Sequence, residues 1–314
     1  MNNIFTHPSF QKSILFQRIA LVSVLLPLLL QATPPTNFSG DPVFFLGPIG
    51  QSLGGSVYSH KSLHDNLLVN PSAGSFGTEY AAEGSFSTAA KTIGLSVFDT
   101  KSTTYGGGLT YLRREVGSGD AKEPLKAGNL NQTYQSFGLS LFGKLHESFA
   151  VGVTGRYSMR DATGAADANG KSWNGDVSAT FRVNDKIGIG ASYKNLFGDS
   201  KDIEIGVIGG GAHVEIVPGL IAVGSIEKYT NPSDTPKYGV PDEDKISWSL
   251  GGQYSHPSGV SVRGSFREAG PWDSQLMFAG VGYVDKGFHV NYAFGTATKG
   301  DSFNVHTFGL GATF

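Results

Sequence analysis

The chain has no cysteine among its 314 residues. This excludes disulfide-stapled folds, thiolate metal sites and a lipid anchor on an N-terminal cysteine. Charge is also sparse, because charged residues make up 16% of the chain and the formal net charge is -2. We therefore expect no extended basic surface for nucleic acid and no acidic tail.

Long apolar runs are absent apart from one near the N-terminus, Ile19 to Leu30. Lys12 and Arg18 precede this run, and Ala32 follows it at a candidate cleavage point. The run is too short for a membrane helix, which needs about 20 residues. We interpret residues 1–32 as a cleaved signal peptide for export, and an uncleaved anchor is the alternative.

Signals of catalysis are also lacking. The sequence contains no evident phosphate-binding loop, EF-hand, dinucleotide-binding pattern or Ser-His-Asp order. His60 and His64 have the four-residue spacing of metal ligands on one helix face, but no glutamate or third ligand accompanies them. We therefore expect a protein that is not an enzyme and has neither a metal site nor a cofactor.

The chain is rich in glycine, with 44 residues, and in aromatic residues, at 11%. From Gly77 onward, segments of about ten to fourteen residues alternate with turn signals, as membrane-crossing strands require. They predict an all-β fold of fourteen strands, an even number as in bacterial single-chain barrels. The predicted strands are 77–87, 90–99, 104–115, 132–145, 148–160, 171–183, 186–195, 203–217, 220–230, 245–255, 259–269, 274–285, 287–297 and 303–314. The registers stay open in 203–217, where glycines confuse the pattern, and in 274–285, where both faces are apolar.

Within these segments apolar and polar side chains alternate. In 148–160, for example, Val151 and Val153 alternate with Gly152 and Thr154. A soluble sandwich also alternates, but its strands are nearer five or six residues long. The lengths here favour an antiparallel, up-and-down transmembrane β-barrel with a lipid face and a lumen face.

The connection lengths agree with a barrel. If the first strand rises from the periplasm, the inner connections are all short: 100–103, 146–147, 184–185, 218–219, 256–258 and Lys286. The outer connections include longer, polar loops: 116–131, 161–170, 196–202 and 231–244. This sorting by side is typical of outer-membrane barrels. We therefore assign residues 77–314 to a barrel in the bacterial outer membrane, in contact with its lipid.

The last residue, Phe314, shares one face of its predicted strand with Ala312, Leu310 and Phe308. This pattern resembles the C-terminal strand signal read by the bacterial barrel-insertion machinery. We expect that machinery to be a partner of the chain.

The element Asn70-Pro71-Ser72-Ala73-Gly74 precedes the first predicted strand. It resembles the NPAGL-type element of the FadL family of hydrophobic-compound transporters and of related scaffold-type barrels of secretion systems. The resemblance covers about residues 55–90. It implies a fourteen-stranded barrel, an N-terminal hatch in the lumen and passage of apolar molecules such as fatty acids. Ser72 stands where Ala is usual and no Leu follows Gly74, so the motif is imperfect, and a plain proline turn is the alternative.

Residues 33–76 lack clean alternation and include a possible short helix near Ser62 to Leu68. Asn70 and Pro71 would give this segment a rigid entry into the wall. The apolar stretch from Phe44 to Ile49 argues against a disordered tail. We predict an irregular, partly helical hatch inside the barrel, where non-helical backbone is tolerated. A disordered periplasmic tail is the alternative.

Gly106, Gly107 and Gly108 form a glycine run in the third predicted strand. In FadL-like barrels a kink in this strand opens the wall toward the lipid, so the resemblance implies a lateral-opening role for these glycines. Simple barrel curvature is the alternative.

Several charged residues are predicted to point into the lumen. They are Arg156, Asp176, Arg182, Arg263 and Arg267. One interpretation is an electropositive constriction for anions or carboxylate head groups. The other is a set of paired lumen charges or anchors for the hatch.

Three functions remain open at this point. The leading hypothesis is passive transport of small hydrophobic compounds, such as fatty acids, through a hatch-plugged barrel. The second is an open, water-filled porin. The third is a non-transporting scaffold that presents its outer loops to a surface or secretion partner.

Overall fold

The computed structural model describes residues 41–60, 62–101, 105–116, 131–163, 169–197, 206–230, 246–299 and 304–314. The predicted signal peptide, residues 1–32, lies outside the described residues, as do residues 33–40 of the predicted hatch segment. Within the described part of the chain, no helix has the length and apolar character needed to cross a membrane.

Fourteen antiparallel strands form one closed barrel in which each strand pairs with its neighbours in the sequence and β1 pairs with β14. The strands are β1 Tyr80–Ser87, β2 Thr92–Asp99, β3 Tyr105–Val116, β4 Asn131–His146, β5 Phe149–Thr163, β6 Gly170–Asn184, β7 Ile187–Lys194, β8 Gly206–Val217, β9 Leu220–Thr230, β10 Ile246–Ser255, β11 Val260–Ala269, β12 Ser274–Asp285, β13 Phe288–Lys299 and β14 Asn304–Thr313. The predicted fold class and strand count are therefore confirmed. Predicted and observed strand bounds differ by at most three residues, as at 77 against 80, 160 against 163 and 203 against 206.

The connections sort by length as predicted. One end of the barrel, here the short-turn end, carries residues 100–104, 147–148, 185–186, 218–219, 256–259 and 286–287. At the last of these turns Lys286 and Gly287 both have positive φ, which a two-residue hairpin turn of the favoured type requires. The opposite end, here the long-loop end, carries the connections after β3, β5, β7 and β9, together with three shorter ones.

The two faces of the wall differ in character. Outward side chains are large, apolar and exposed, as at Leu95, Leu139, Val153 and Leu250. Inward side chains are mostly small and polar, and they are buried: Ser96, Ser140, Thr154, Ser158, Ser178, Thr180, Ser249 and Thr307. An apolar outer band around a polar interior is the arrangement that a lipid surround requires.

Residues 41–76 lie against the inward-facing side chains of the wall. They contain two short α-helices, α1 Pro48–Ser52 and α2 Leu63–Val69, and two 3-10 turns, Pro42–Phe45 and Pro71–Phe76. The short helix expected near Ser62 to Leu68 is therefore present. We call residues 41–76 the hatch segment.

Candidate functional site: the lumen and its hatch segment

The first residues of the hatch segment bind the wall through buried charges. The Arg267 guanidinium on β11 donates two hydrogen bonds of 2.9 Å to the Asp41 carboxylate and one of 2.7 Å to Glu227 on β9. It also donates to the carbonyl oxygen of Gly54 at 3.2 Å. The side chains of Arg267 and Asp41 are fully buried, and that of Glu227 is 5% exposed. Because Arg267 is bonded both to the wall residue Glu227 and to Asp41 and Gly54 of the hatch segment, the set joins hatch and wall, and we call it the Arg267 joint.

Tyr58 of the hatch segment lies on a part of the wall that has no side chains. Its hydroxyl donates to Glu227 at 2.7 Å, which links it to the Arg267 joint. A Cβ at Gly209 on β8 would lie 1.8 Å from the Tyr58 hydroxyl, and one at Gly190 on β7 would lie 2.0 Å from its carbonyl oxygen. The glycines that confused the register of β8 therefore make the seat of an aromatic ring.

An apolar cluster joins the hatch segment to the wall inside the barrel. The ring centroids of Phe44 and Phe278 are 6.3 Å apart. The buried members from the hatch segment are Val43, Phe44, Leu46, Leu53, Val57, Tyr58 and Val69. Those from the wall and its connections are Ala89, Val223, Ala269, Leu276, Phe278 and Val305. β12 is apolar on both faces because Leu276 and Phe278 point inward and pack here.

A cationic contact also holds this end of the hatch segment. The Arg114 guanidinium carbon on β3 lies 4.1 Å from the centroid of the Phe45 ring and 4.2 Å from that of Tyr134 on β4. Such cation–π contacts are favourable within about 6 Å. The guanidinium therefore links one aromatic ring of the hatch segment to one of the wall.

The Asn70-Pro71 element lies where the hatch segment meets β6. The Asn70 amide donates to the carbonyl oxygen of Tyr58 and, at 3.0 Å, to the hydroxyl of Thr180. Pro71 begins the 3-10 turn that follows. Ser72, which departs from the family pattern, shares hydrogen bonds with Asn70 and with Thr180 at 2.7 Å. The hydroxyl that made the motif imperfect therefore adds a bond to the wall.

Arg182 contacts the last part of the hatch segment. Its guanidinium carbon lies 4.3 Å from the centroid of the Phe76 ring, and the Lys144 ammonium lies 5.3 Å from the same centroid. Arg182 thus points inward as predicted and contacts an aromatic ring of the hatch segment.

Arg156, Asp176 and Arg263 bond within the wall and its connections. Arg156 and Asp176 form an ion pair between β5 and β6, and Asn195 contributes to it through its side chain and its backbone. Arg263 donates to Gln253, Asn291 and Ser261 at 2.7, 3.1 and 2.9 Å. The described charges thus form paired networks and hatch contacts, in line with the second of the two interpretations, and a role in binding an anionic ligand stays a prediction.

The glycine run of β3 makes room for side chains inside the barrel. A Cβ at Gly108 would lie 2.5 Å from a methyl carbon of Leu67, and one at Gly106 would lie 2.3 Å from the Phe142 ring. Gly107 and Gly108 pair with both neighbouring strands without a register shift. The wall is continuous at this point, so a lateral opening at Gly106–Gly108 stays a prediction that would require movement.

The two hatch histidines do not form a metal site with other described residues. No group of three or more potential metal ligands from His, Cys, Asp and Glu occurs within the described ranges. Both ring nitrogens of His64 are buried without a hydrogen-bond partner. Burial, helped by the positive charges of neighbouring side chains, lowers the pKa of His60 to about 3. Burial disfavours the charged form of a histidine, so His60 resists protonation as long as the hatch segment is docked.

The sequence pattern placed Arg267 on the inward face but missed its partners. Asp41 is 226 positions from Arg267 in the chain, and Glu227 is 40 positions away. Glu227 alternates correctly with the outward residues of β9, so its inward direction was readable. Its pairing with Arg267, and the role of Asp41 and Tyr58, depended on how the hatch segment lies in the lumen.

Comparison with known proteins gives similarity in structure only. No protein-family model matches the sequence, and no curated protein sequence is significantly similar to it. The CymD monoaromatic hydrocarbon channel matches with a TM-score of 0.66 and 12% identity, over 87% of this chain and 98% of that chain. The toluene transporter TodX of Pseudomonas putida matches with 0.61 and 13%, over 86% and 98%. A FadL homologue of Pseudomonas aeruginosa matches with 0.59 and 11%, over 86% and 99%.

Identities this low establish the fold and nothing finer. All three matches cover almost the whole of the solved chain, so the similarity extends around the barrel and is not confined to the Asn70-Pro71 element. The resemblance seen in the sequence is confirmed at this level: the chain has the fold of the FadL-like β-barrel channels.

Proposed function

We propose that this protein is a passive outer-membrane channel for small hydrophobic compounds, closed at rest by the hatch segment. The observation that carries this proposal is the apolar cluster inside the barrel. Leu276 and Phe278 place apolar surface on the lumen side of the wall, and Phe44 and Leu53 cover it. Movement of the hatch segment would expose apolar surface on the hatch segment and on the wall, and such surface binds apolar molecules.

The proposed location follows from the wall and from the fold. The exposed apolar band fits a lipid bilayer, and the structural neighbours include channels and a transporter. The domain arrangement belongs to the proposal: a cleaved signal peptide at 1–32, the hatch at 33–76 and the barrel at 77–314. Insertion would use the C-terminal end of the chain, where Leu310 on β14 and Phe314, the residue after β14, are exposed.

The apolar cluster in the lumen favours an apolar substrate but does not identify which one. The neighbours are described as a monoaromatic hydrocarbon channel and a toluene transporter. Fatty acids, which the sequence resemblance implies, differ from these in carrying a carboxylate. The apolar cluster could bind either a monoaromatic hydrocarbon or the hydrocarbon chain of a fatty acid. The open porin receives less support, since inward side chains such as Ser140, Ser158 and Thr307 are not in contact with a wide water-filled space.

The test is uptake by cells of a Gram-negative host that lacks its own hydrophobic-compound channel. Initial uptake rates of radiolabelled toluene, oleate and sucrose are compared between cells that produce the protein and cells with an empty vector. Faster uptake of toluene or oleate with unchanged sucrose uptake supports the proposal, and the faster of the two names the substrate class. Faster sucrose uptake would show a water-filled porin, and no change in any rate would favour the scaffold.

A further inference from the structure

The two halves of the hatch segment differ in one attachment: the buried ion pair with the wall, between Asp41 and Arg267, lies in the first half. Residues 70–76 bind the wall through neutral hydrogen bonds, as between Asn70 and Thr180, and lead into β1 at Tyr80. Residues 41–58 do not lead directly into a strand. They are held by the Arg267 joint, by the apolar cluster and by neutral hydrogen bonds to the wall, as between Gln51 and Thr307.

The Arg267 joint is suited to all-or-none behaviour. Arg267, Asp41 and Glu227 bring one positive and two negative charges together away from water. Removing any one of them leaves the others buried with too few partners, which costs far more than losing an exposed ion pair. Tyr58 is tied to the same set through Glu227, so the two ends of residues 41–58 share one joint.

We propose that Arg267, Asp41 and Glu227 form a releasable latch, and that the hatch opens in two parts. Residues 41–58 leave the wall when the latch breaks, and residues 70–76 stay in place as the attachment. Release uncovers the wall around Phe278 and empties the glycine seat of Tyr58. The inference rests on the hatch of the proposed function and adds the residues that keep it closed.

The absence of cysteine permits a direct test, since any thiol introduced is unique. Val57→Cys reports on the first half and Ala73→Cys on the second, because both side chains are almost completely buried. Each reporter is combined with Arg267→Gln, and separately with Asp41→Asn. The rate of reaction with a water-soluble maleimide is then measured on the purified full-length protein in detergent, after heat-modifiable gel mobility has shown a folded barrel.

Either latch variant should raise the labelling rate at position 57 by more than about tenfold, which corresponds to about 1.4 kcal/mol of docking free energy. The labelling rate at position 73 should change by less than about twofold, which corresponds to a much smaller change in docking free energy. Asp41→Asn leaves the wall unaltered, so it gives a result even if Arg267→Gln does not fold.

The matched control is Arg263→Gln. Arg263 lies four positions earlier on the same strand and also points inward, but its three hydrogen bonds go to wall side chains, and its charge acts on His60 and Asp65 of the hatch segment only through space. It should change neither labelling rate by more than about twofold. An equal rise at positions 57 and 73 would overturn the two-part opening. No rise at 57, or an equal effect of Arg263→Gln, would overturn the latch. The readout needs no substrate, so failure of the transport proposal is a separate result.

Discussion

The hydroxyl oxygen of Tyr58 lies 1.8 Å from the position that a Cβ at Gly209 would occupy. No two real atoms of this kind approach so closely, so this ring can dock only where the wall has no side chain. The relationship connects a glycine run in β8 with a single aromatic residue of the hatch segment, 151 positions away (209 − 58). It makes the glycine a determinant of closure.

Gly209→Ala should therefore loosen the hatch. The added methyl group displaces the Tyr58 ring and breaks its bond to Glu227, so we expect channel openings in a planar lipid bilayer at neutral pH. Gly210→Ala is the matched control, because Gly210 faces outward and its nearest neighbour is 3.4 Å from the new Cβ. If neither variant shows channel openings, the docking of Tyr58 does not keep the hatch closed.

Phe278→Ala should destabilise the docked first half of the hatch segment. Removing a buried ring from a packed core costs about 3–5 kcal/mol. The amide hydrogens of Val43 to Leu53 should then exchange with deuterium much faster, as measured by mass spectrometry. Phe181→Ala removes an outward ring that is 45% exposed and should leave this exchange as it is. Slow exchange in the Phe278 variant would mean that the apolar cluster contributes little to docking.

Mild acid should weaken hatch docking through His60. Its pKa is about 3 when docked, because of burial and the positive charges of His213 and Arg263, and 6.5 when free. The released form therefore binds more protons between these values, and docking loses up to about 1.4 kcal/mol for each pH unit below 6.5. Burial raises the pKa values of Asp41 and Asp65, which acts in the opposite direction as the pH approaches their raised values.

The range to measure is therefore pH 7.5 to 5.5. Labelling of the Val57→Cys protein by a thiol reagent whose reactivity is corrected for pH should accelerate toward pH 5.5. His60→Gln removes the titrating group and should flatten this dependence. A profile that is unchanged by His60→Gln would assign the acid effect, if any, to another group.

Deleting residues 41–70 should convert the protein into a leaky barrel. The deletion removes the hatch members of the apolar cluster and Asp41 of the latch but keeps the turn that begins at Pro71. The refolded variant should give steady conductance in a planar lipid bilayer, whereas the intact protein should be silent. Circular dichroism should show that both are folded as sheet. Leakiness equal to that of the intact protein would count against the hatch as the plug of the lumen.

Much of the wall was readable from the chain alone. A period of two is a local property, so the strands, their outward faces and the sorting of turns followed from side-chain alternation and turn residues. The bounds of β9 were predicted to the residue, because the turn Pro218-Gly219 precedes the strand and a polar loop sequence follows it. Sequential antiparallel pairing then leaves little freedom in topology, since lipid does not tolerate an open edge.

The lumen was decided by the tertiary structure. Alternation says that Arg267 points inward, but not that Asp41, 226 positions away, meets it. Nor does it say that Leu276 and Phe278 face a hatch, so β12 looked apolar on both sides. What alternation specifies is a direction for each side chain, which depends on near neighbours in the chain. What it leaves open is the partner, which depends on how a segment without regular periodicity packs inside the closed barrel.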